Sequence, residues 1–425
     1  MKAETDETNE TGETDGPRRI NTREAARLLG VKPATVYAYV SRGQLGSRRD
    51  PVGRGSSFDA AEVEALARRS RREAAGPTGS HAGELSVRTS LTLIEPDRYY
   101  FRGVDAVELA SRYRYEEVAE WLWTGSLKHG ARFVAPPEPL AAARRAVAAL
   151  PEHGGPLDRL RVAVAAAAVA DPLRFDLSEG AVLDSARCLI PTLVGALPEQ
   201  GPARWAGDTR LVRVLWSRLT ALDPDPDALA VLDLALGLLV DHDLAASTLA
   251  VRVAASARAH PYAAVSAGLG ALEGPLHGAA GRLAHRMLVE VLERGGAAPV
   301  VSEYLRAGRR VPGLGHRLYR GEDPRATALF SRLEALEQAG PALGAARDVA
   351  SVMARHGGGL HANVDLALAV LTVSCGMRAE AGETVFAVAR TAGWIAHALE
   401  EYQERPLRMR PSGHYDGPRP PRSMP

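Results

Sequence analysis

Two histidines and an aspartate carry the chemistry that is easiest to read in this chain, each placed where a turn runs into an apolar helical pattern. His277 lies in Leu272-Glu-Gly-Pro-Leu-His277-Gly-Ala-Ala-Gly281, ahead of Leu283, Met287, Leu288, Val291 and Leu292 at helical spacing. That spacing predicts His277 in the first turn of a helix, where unpaired N–H groups and the positive dipole end favour a neutral imidazole. A neutral ring can donate a hydrogen bond to oxygen charge developing on a substrate. A capping or core histidine would show the same local pattern.

The arrangement recurs at Val311-Pro-Gly-Leu-Gly-His316-Arg-Leu-Tyr-Arg-Gly-Glu-Asp-Pro-Arg325, and Asn363-Val-Asp365 then brings a carboxylate to the head of another apolar helix. His242 follows the apolar run Val231 to Val240, a core or subunit-interface helix, and stands between Asp241 and Asp243, two carboxylates able to orient it. From its setting alone it reads as a structural histidine. Arg390 precedes Gly-Trp on an apolar helix, so it is expected to be buried and to need an anion.

Gly-Pro-Leu-His-Gly, Pro-Gly-Leu-Gly-His with Asp-Pro-Arg, and Asn-Val-Asp, in this order and spacing, resemble the signature of the citrate synthase family, over about Ile94 to Gly417. The resemblance implies an all-α citrate synthase fold with a large domain (94–277 and 359–425) and a small one (278–358). It implies condensation of acetyl-CoA with oxaloacetate to give citrate and CoA. In that reading Asp365 is the base, His277 stabilises the enol, and His316 polarises the acceptor ketone. His242, Arg325, Arg390 and Arg410 would bind the oxo-dicarboxylate, Arg410 coming from the neighbouring subunit of a homodimer. Arg317 and Arg320 would meet CoA phosphates. Acyl-CoA is a co-substrate here, and no permanently bound cofactor is implied. Gly281 stands where the family commonly has Asn, His361-Ala362 where it has Tyr-Pro or Trp-Pro, and Gly357 to Gly359 replace basic residues. A slightly different pocket would accept propionyl-CoA and make 2-methylcitrate, since one methylene discriminates weakly.

The elements that position these groups can be read in outline. Abundant Ala, Leu and Arg with few aromatics point to helices. Charge is balanced, 52 basic against 51 acidic residues. Cys188 and Cys375 are far apart without a Cys-x-x-Cys, which argues against a disulfide scaffold and a cysteine metal site and suits a reducing cytoplasm. The acidic N-terminus lacks a signal-peptide core, and the run Val162 to Ala170 is too short to span a bilayer.

Residues 1–18 read as a disordered acidic tail. Residues 19–73 resemble a winged helix-turn-helix of the MerR and excisionase type: a first helix stopping at Gly30, a second opened by Pro33 and closed by Gly43, a hairpin wing from Leu45 to Phe58, and a third helix capped by Asp59. Between Arg18 and Arg72 there are 13 bases and 5 acids, a balance suited to phosphate contacts. Thr35, Tyr37, Tyr39 and Arg42 on the second helix, with Arg48, Arg49 and Arg54 on the wing, are the candidate DNA contacts. A module that docks protein would share the fold. Residues 74–93 read as a linker. Two classes of function therefore stand side by side, an enzyme and a transcription regulator that senses a metabolite with the synthase fold.

Overall fold

The computed structural model describes residues 19–41, 45–49, 56–64, 66–67, 87–201, 210–274, 277–278, 280–356, 360–411 and 416–417. The acidic tail, Arg42, Gly43, Arg54 and most of the expected linker lie outside the described residues. The chain divides into two compact units, Met1–Val87 and Arg88–Pro425.

In the first unit, Asn21 accepts hydrogen bonds from the Arg23 and Glu24 N–H groups and so starts the helix Thr22–Leu29, which Gly30 ends in a left-handed conformation (φ 67°). The helix Pro33–Ser41 follows. Strands Arg19–Asn21, Ser56–Asp59 and Ser47–Arg49 form an antiparallel sheet in that spatial order, with Arg48 opposite Ser57, so the expected wing is a hairpin. Asp59 caps the turn of helix that follows it, accepting from Ala61 and Glu62. Ile20, Ala26, Leu29, Val36, Leu45, Phe58 and Val63 close the core.

Among its described residues the second unit is mostly helical, with a small meander of Thr92–Ile94, Tyr99–Phe101 and Val104–Asp105. Its second turn works because Arg102 and Gly103 both take positive φ (48° and 80°), which matches the twist of the paired strands. Tyr99 and Phe101 point inward and alternate with Tyr100. The last residues of the expected linker belong to this body. Ser90 donates to Glu400 through both its N–H and its hydroxyl, and Thr92 Oγ1 donates to Asp241 Oδ2 at 2.5 Å. Polar partners at the far end of the chain thus order a stretch whose composition reads as a spacer.

The helix Pro226–Leu239 starts with the exposed Pro226 and Asp227 and is largely buried within this chain from Ala228 on, packed against Ala106–Arg112, Pro324–Leu333 and the 22-residue helix Ala381–Tyr402. Among the described residues no helix is long and apolar enough to cross a membrane.

Gly393 allows the longest helix to reach the segment that delivers His242. A Cβ there would lie 2.2 Å from Val240 O and 3.0 Å from Asp241 Oδ1. Helix propensity alone would favour alanine by about 1 kcal/mol. Backbone overlap outweighs this, so Gly393→Ala is expected to destabilise the chain by about 2 kcal/mol or more. A urea midpoint at or above that of the parent would show that the contact relaxes freely.

Candidate active site

A cleft of about 390 Å³ is bordered by His242, His277, His316, Arg325, Asp365 and Arg390, together with Arg317 at its edge. Five separate stretches of chain supply these groups. His277 lies in a turn, three residues ahead of the helix Ala280–Arg294, and not in its first turn as the apolar spacing suggested. The turn folds back on the preceding helix: Gly278 N–H donates to Leu272 O, and a Cβ at Gly278 would lie 2.4 Å from that oxygen. Burial, and then the charge of Arg390, lower the His277 pKa, so its neutrality has a different origin from the helix dipole. Its Nε2 pairs with Ser247 Oγ at 2.8 Å. When Ser247 donates, the ring proton sits on Nδ1, and the imidazole becomes a fixed donor.

His316 is carried by a loop in which Gly313 and Gly315 have φ of 79° and 80°. A Cβ at Gly313 would lie 2.8 Å from the Leu366 Cβ, so the glycines serve both conformation and close approach. Backbone bonds from Gly315 N to His361 O and from Asn363 N to Gly313 O hold this loop against the stretch leading to Asp365. Asn363 Nδ2 donates to Gly315 O, while its Oδ1 caps the helix Val364–Ser374. The His316 pKa is lowered to about 4 by burial and by Arg325. Its Nδ1 accepts from Leu318 N–H and its Nε2 lies 3.2 Å from an Arg325 nitrogen. A neutral ring accepts at one nitrogen only, so these contacts are alternatives tied to the tautomer.

His242 is buried, and burial with the charges of Arg325 and Arg390 holds it neutral. Neither flanking carboxylate orients it. Asp241 turns to His397 and Thr92, Asp243 is exposed, and the partner of His242 Nε2 is the Tyr319 hydroxyl at 2.8 Å.

The two arginines of the cleft differ. Arg325, 3 % exposed, is already paired with Asp323 through two parallel bonds of 2.9 and 2.8 Å. Burial opposes its charge, but Asp323 outweighs this and raises its pKa. Arg390, 1 % exposed, donates Nε–H to Leu239 O and lies 4.6 Å over the Phe386 ring. Burial lowers its pKa to about 10 despite Asp241, so it is the cation in greater need of an anion.

Asp365 faces the cleft and keeps some solvent contact there, yet it lies deep in the protein. Burial raises its pKa to about 6 against the opposing pull of Arg325. Arg317 is exposed at the cleft edge, whereas Arg320 and Arg410 are exposed and do not border the cleft. Tyr319 lies within the stretch Val311 to Arg325 and Ser247 five residues after His242, yet the motifs assigned no role to either, nor to Glu383 or Phe386. Asp323 could have been read as the cap of a helix opened by Pro324.

In the first unit, Thr35 and Arg48 are exposed and Tyr37 is 47 % exposed, its hydroxyl 3.2 Å from Thr22 Oγ1. Tyr39 is partly buried against the small core, because its place on the helix faces inward, and is no open contact as expected. Arg49 ends the wing strand.

The chain matches the family model for the citrate synthase C-terminal domain over residues 80–412 and that for a helix-turn-helix domain over 20–71. It is 32 % identical to a citrate synthase of Haloferax volcanii over 365 residues, which cover 79 % of this chain and 94 % of the relative. It is 26 % identical to a 2-methylcitrate synthase of Mycobacterium tuberculosis, over 79 % of this chain and 89 % of the relative. The crystal structure of citrate synthase from Thermotoga maritima superposes with a TM-score of 0.64 at 26 % identity, covering 81 % of this chain and 96 % of that one. Fold and relatives define an acyltransferase that converts an acyl group into an alkyl group on transfer. The chain belongs to the citrate synthase family, with a helix-turn-helix domain preceding the synthase domain.

Because the folded state raises the Asp365 pKa from 3.8 to about 6, it binds this proton more tightly than the unfolded chain does. Between about pH 4 and 6 the stability contributed by this residue falls as pH rises, and above pH 6 the full cost of the buried charge is present. Asp365→Asn should therefore raise stability by about 1–3 kcal/mol at pH 7.5 and have little effect at pH 4. Urea unfolding of both chains at the two pH values measures the difference, and equal gains at both would remove ionisation as the cause.

Proposed function

We propose that this chain condenses acetyl-CoA with oxaloacetate to give citrate and CoA. The observation that carries this reading is the convergence of His277, His316, Asp365 and Arg390 on one cleft. Asp365 takes a proton from the carbon next to the thioester carbonyl. His277, with its proton on Nδ1, donates to the carbonyl oxygen as charge collects there. The enol carbon attacks the ketone carbon of oxaloacetate, and His316 gives a proton to that oxygen. Water then cleaves the thioester and releases CoA.

Arg390, Arg325 and His242 take the acceptor's carboxylates, Arg390 foremost because Arg325 already has Asp323. Arg410 completes the set from a second copy of the chain, in keeping with its position away from this cleft. Arg317 meets CoA phosphate at the cleft edge, with Arg320 beyond it. Closure of a small domain (278–358) on a large one (94–277 and 359–425) excludes water from the enol. The free thiols Cys188 and Cys375 suit a reducing cytoplasm.

CoA release should require both substrates, and Asp365→Ala should lower kcat/KM by about 10²–10⁴-fold. Activity should fall about tenfold per pH unit below pH 6, as Asp365 becomes protonated and ceases to be a base. No turnover by a folded chain that still binds oxaloacetate would favour the metabolite-sensing regulator instead.

The first unit is proposed to bind DNA, supported by the helix-turn-helix match and by the exposure of Thr35, Tyr37 and Arg48. Arg49 in the wing strand, with Arg42 and Arg54 nearby in sequence, would add phosphate contacts. Binding should weaken linearly in log–log form with salt, and Arg48→Ala should reduce that slope by about 1. Binding to duplex DNA that is absent, or insensitive to salt, would assign the unit to protein docking.

A further inference from the structure

Condensation followed by hydrolysis sets two demands against each other. The enol must be kept from water, yet the condensed thioester, citryl-CoA, is then cut by one water molecule. That water needs a base, and Asp365 cannot serve at this stage because it holds the proton taken from the acyl carbon. The second step therefore calls for another proton acceptor in the same cleft, with a place for a single water beside it.

Glu383 is such a group. It lies in the first turn of Ala381–Tyr402, and Glu383, Phe386 and Arg390, at i, i+3 and i+7 of that helix, all border the cleft. Phe386 stands about 4.5 Å and Arg390 about 10 Å farther along the helix axis. Arg390 marks the end that takes the acceptor, while the Phe386 ring lies edge-on to the His277 ring at 6.1 Å and so marks the level of the thioester carbonyl. Glu383 is one turn beyond, on the side away from the acceptor. Its turn also packs beside Asp365, since a Cβ on Gly281 would lie 4.0 Å from Gly382 and 3.8 Å from Asp365 Oδ1.

Glu383 is 7 % exposed, and its Oε1 has no hydrogen-bond partner among the described residues. Arg282 Nε, 3.5 Å away, is close enough for charge attraction without bonding that oxygen. A buried carboxylate oxygen with no protein donor is satisfied by water. Burial raises the Glu383 pKa against the pull of Arg282, which suits a group that accepts a proton and gives it up again. The same turn borders a second cavity of about 550 Å³. Gly382 and Glu383 line the cleft, Ala381 and Thr384 line the cavity, and Arg282 lines the cavity while its neighbour Gly281 lines the cleft.

Building on the synthase reading above, we propose that Glu383 holds and activates the water that hydrolyses the condensed thioester, with the cavity behind it as the source of that water. The water oxygen bonds to the thioester carbonyl carbon and passes a proton to Glu383, while the carbonyl electron pair moves to the oxygen held by His277. The tetrahedral intermediate collapses, the carbon–sulfur bond breaks, and Glu383 returns its proton to the leaving sulfur. CoA departs as the thiol, and the new carboxyl group loses its proton to solvent.

Glu383→Gln and Glu383→Asp in the full chain separate the two halves of the reaction. Rapid quenching after mixing with labelled acetyl-CoA and oxaloacetate follows condensation, and synthetic citryl-CoA follows hydrolysis alone. In Glu383→Gln, kcat for citryl-CoA hydrolysis should fall by about 10²–10⁴-fold with its KM unchanged. Condensation should stay within about threefold of the parent, so citryl-CoA accumulates on the enzyme. Glu383→Asp, its carboxylate set back by one methylene, should hydrolyse faster than Glu383→Gln. Urea midpoints and oxaloacetate binding identify folded variants, and if Glu383→Gln does not fold, slower hydrolysis with unchanged condensation in Glu383→Asp carries the same meaning. Hydrolysis at the parent rate in a folded Glu383→Gln, or an equal fall in condensation and hydrolysis in either variant, would overturn this role and leave the synthase reading intact. A parent chain that neither condenses the two substrates nor cleaves citryl-CoA would overturn the synthase reading, and the role of Glu383 with it.

Discussion

The buried pair of Asp323 and Arg325 is the constraint on which the rest of the site depends. Asp323 accepts from the Arg325 side chain, from the Arg325 N–H at 3.1 Å and from the Val364 N–H at 3.1 Å, so one carboxylate joins the starts of two helices. It thereby fixes the Asp365 helix relative to the loop that carries His316. Removing either partner would leave a buried charge unmatched, a loss of about 3–5 kcal/mol. Burial raises the Asp323 pKa, but Arg325 and His316 outweigh it and keep the carboxylate ionised below its ordinary range. The pair also supplies positive potential to its surroundings. Arg325 opposes protonation of His242 and His316 and favours the ionised form of Asp365.

The cleft therefore holds neutral imidazoles beside cationic guanidiniums, an arrangement water would not maintain. Burial disfavours the charged forms of His242, His277, His316, Asp365 and Arg390, and nearby arginines add to this for the histidines and oppose it for Asp365. A carboxylate near the middle of its titration at about pH 6 is a base that the fold does not stabilise, the usual conflict between a reactive site and a stable one. Arg390 stands in the same position with the opposite sign.

A second buried polar network lies behind His242. His397 Nε2 meets Asp241, Arg252 donates to His397 Nδ1, and Arg252 also pairs with Glu400 and Glu401. Arg408 joins Glu401 at 2.6 Å, and Ser90 and Thr92 reach Glu400 and Asp241. The entering arm and the chain's closing segment are therefore fastened to the residue preceding His242. Gly393, with room only for hydrogen against Val240 O, lets the long helix approach closely enough for this.

The sequence by itself determined the local parts. Asn21, Asp59, Asn363 and Asp323 mark helix starts, Gly30 a helix stop, and Gly313 and Gly315 a loop that only glycine can form, because caps and positive φ depend on side-chain chemistry within a few residues. The order and spacing of the motifs were equally legible, and they named the family. Tertiary structure decided who meets whom. It turned Asp241 from His242 toward His397, gave His242 to Tyr319, and placed His277 ahead of its helix. It drew residues 90–93 out of an apparent linker and set Gly281 against Gly382 across the base. These choices depend on contacts between segments up to 310 positions apart, and burial shifts each pKa only once those contacts exist. Periodicity and capping act over a turn or two of chain and carry no information about that distance.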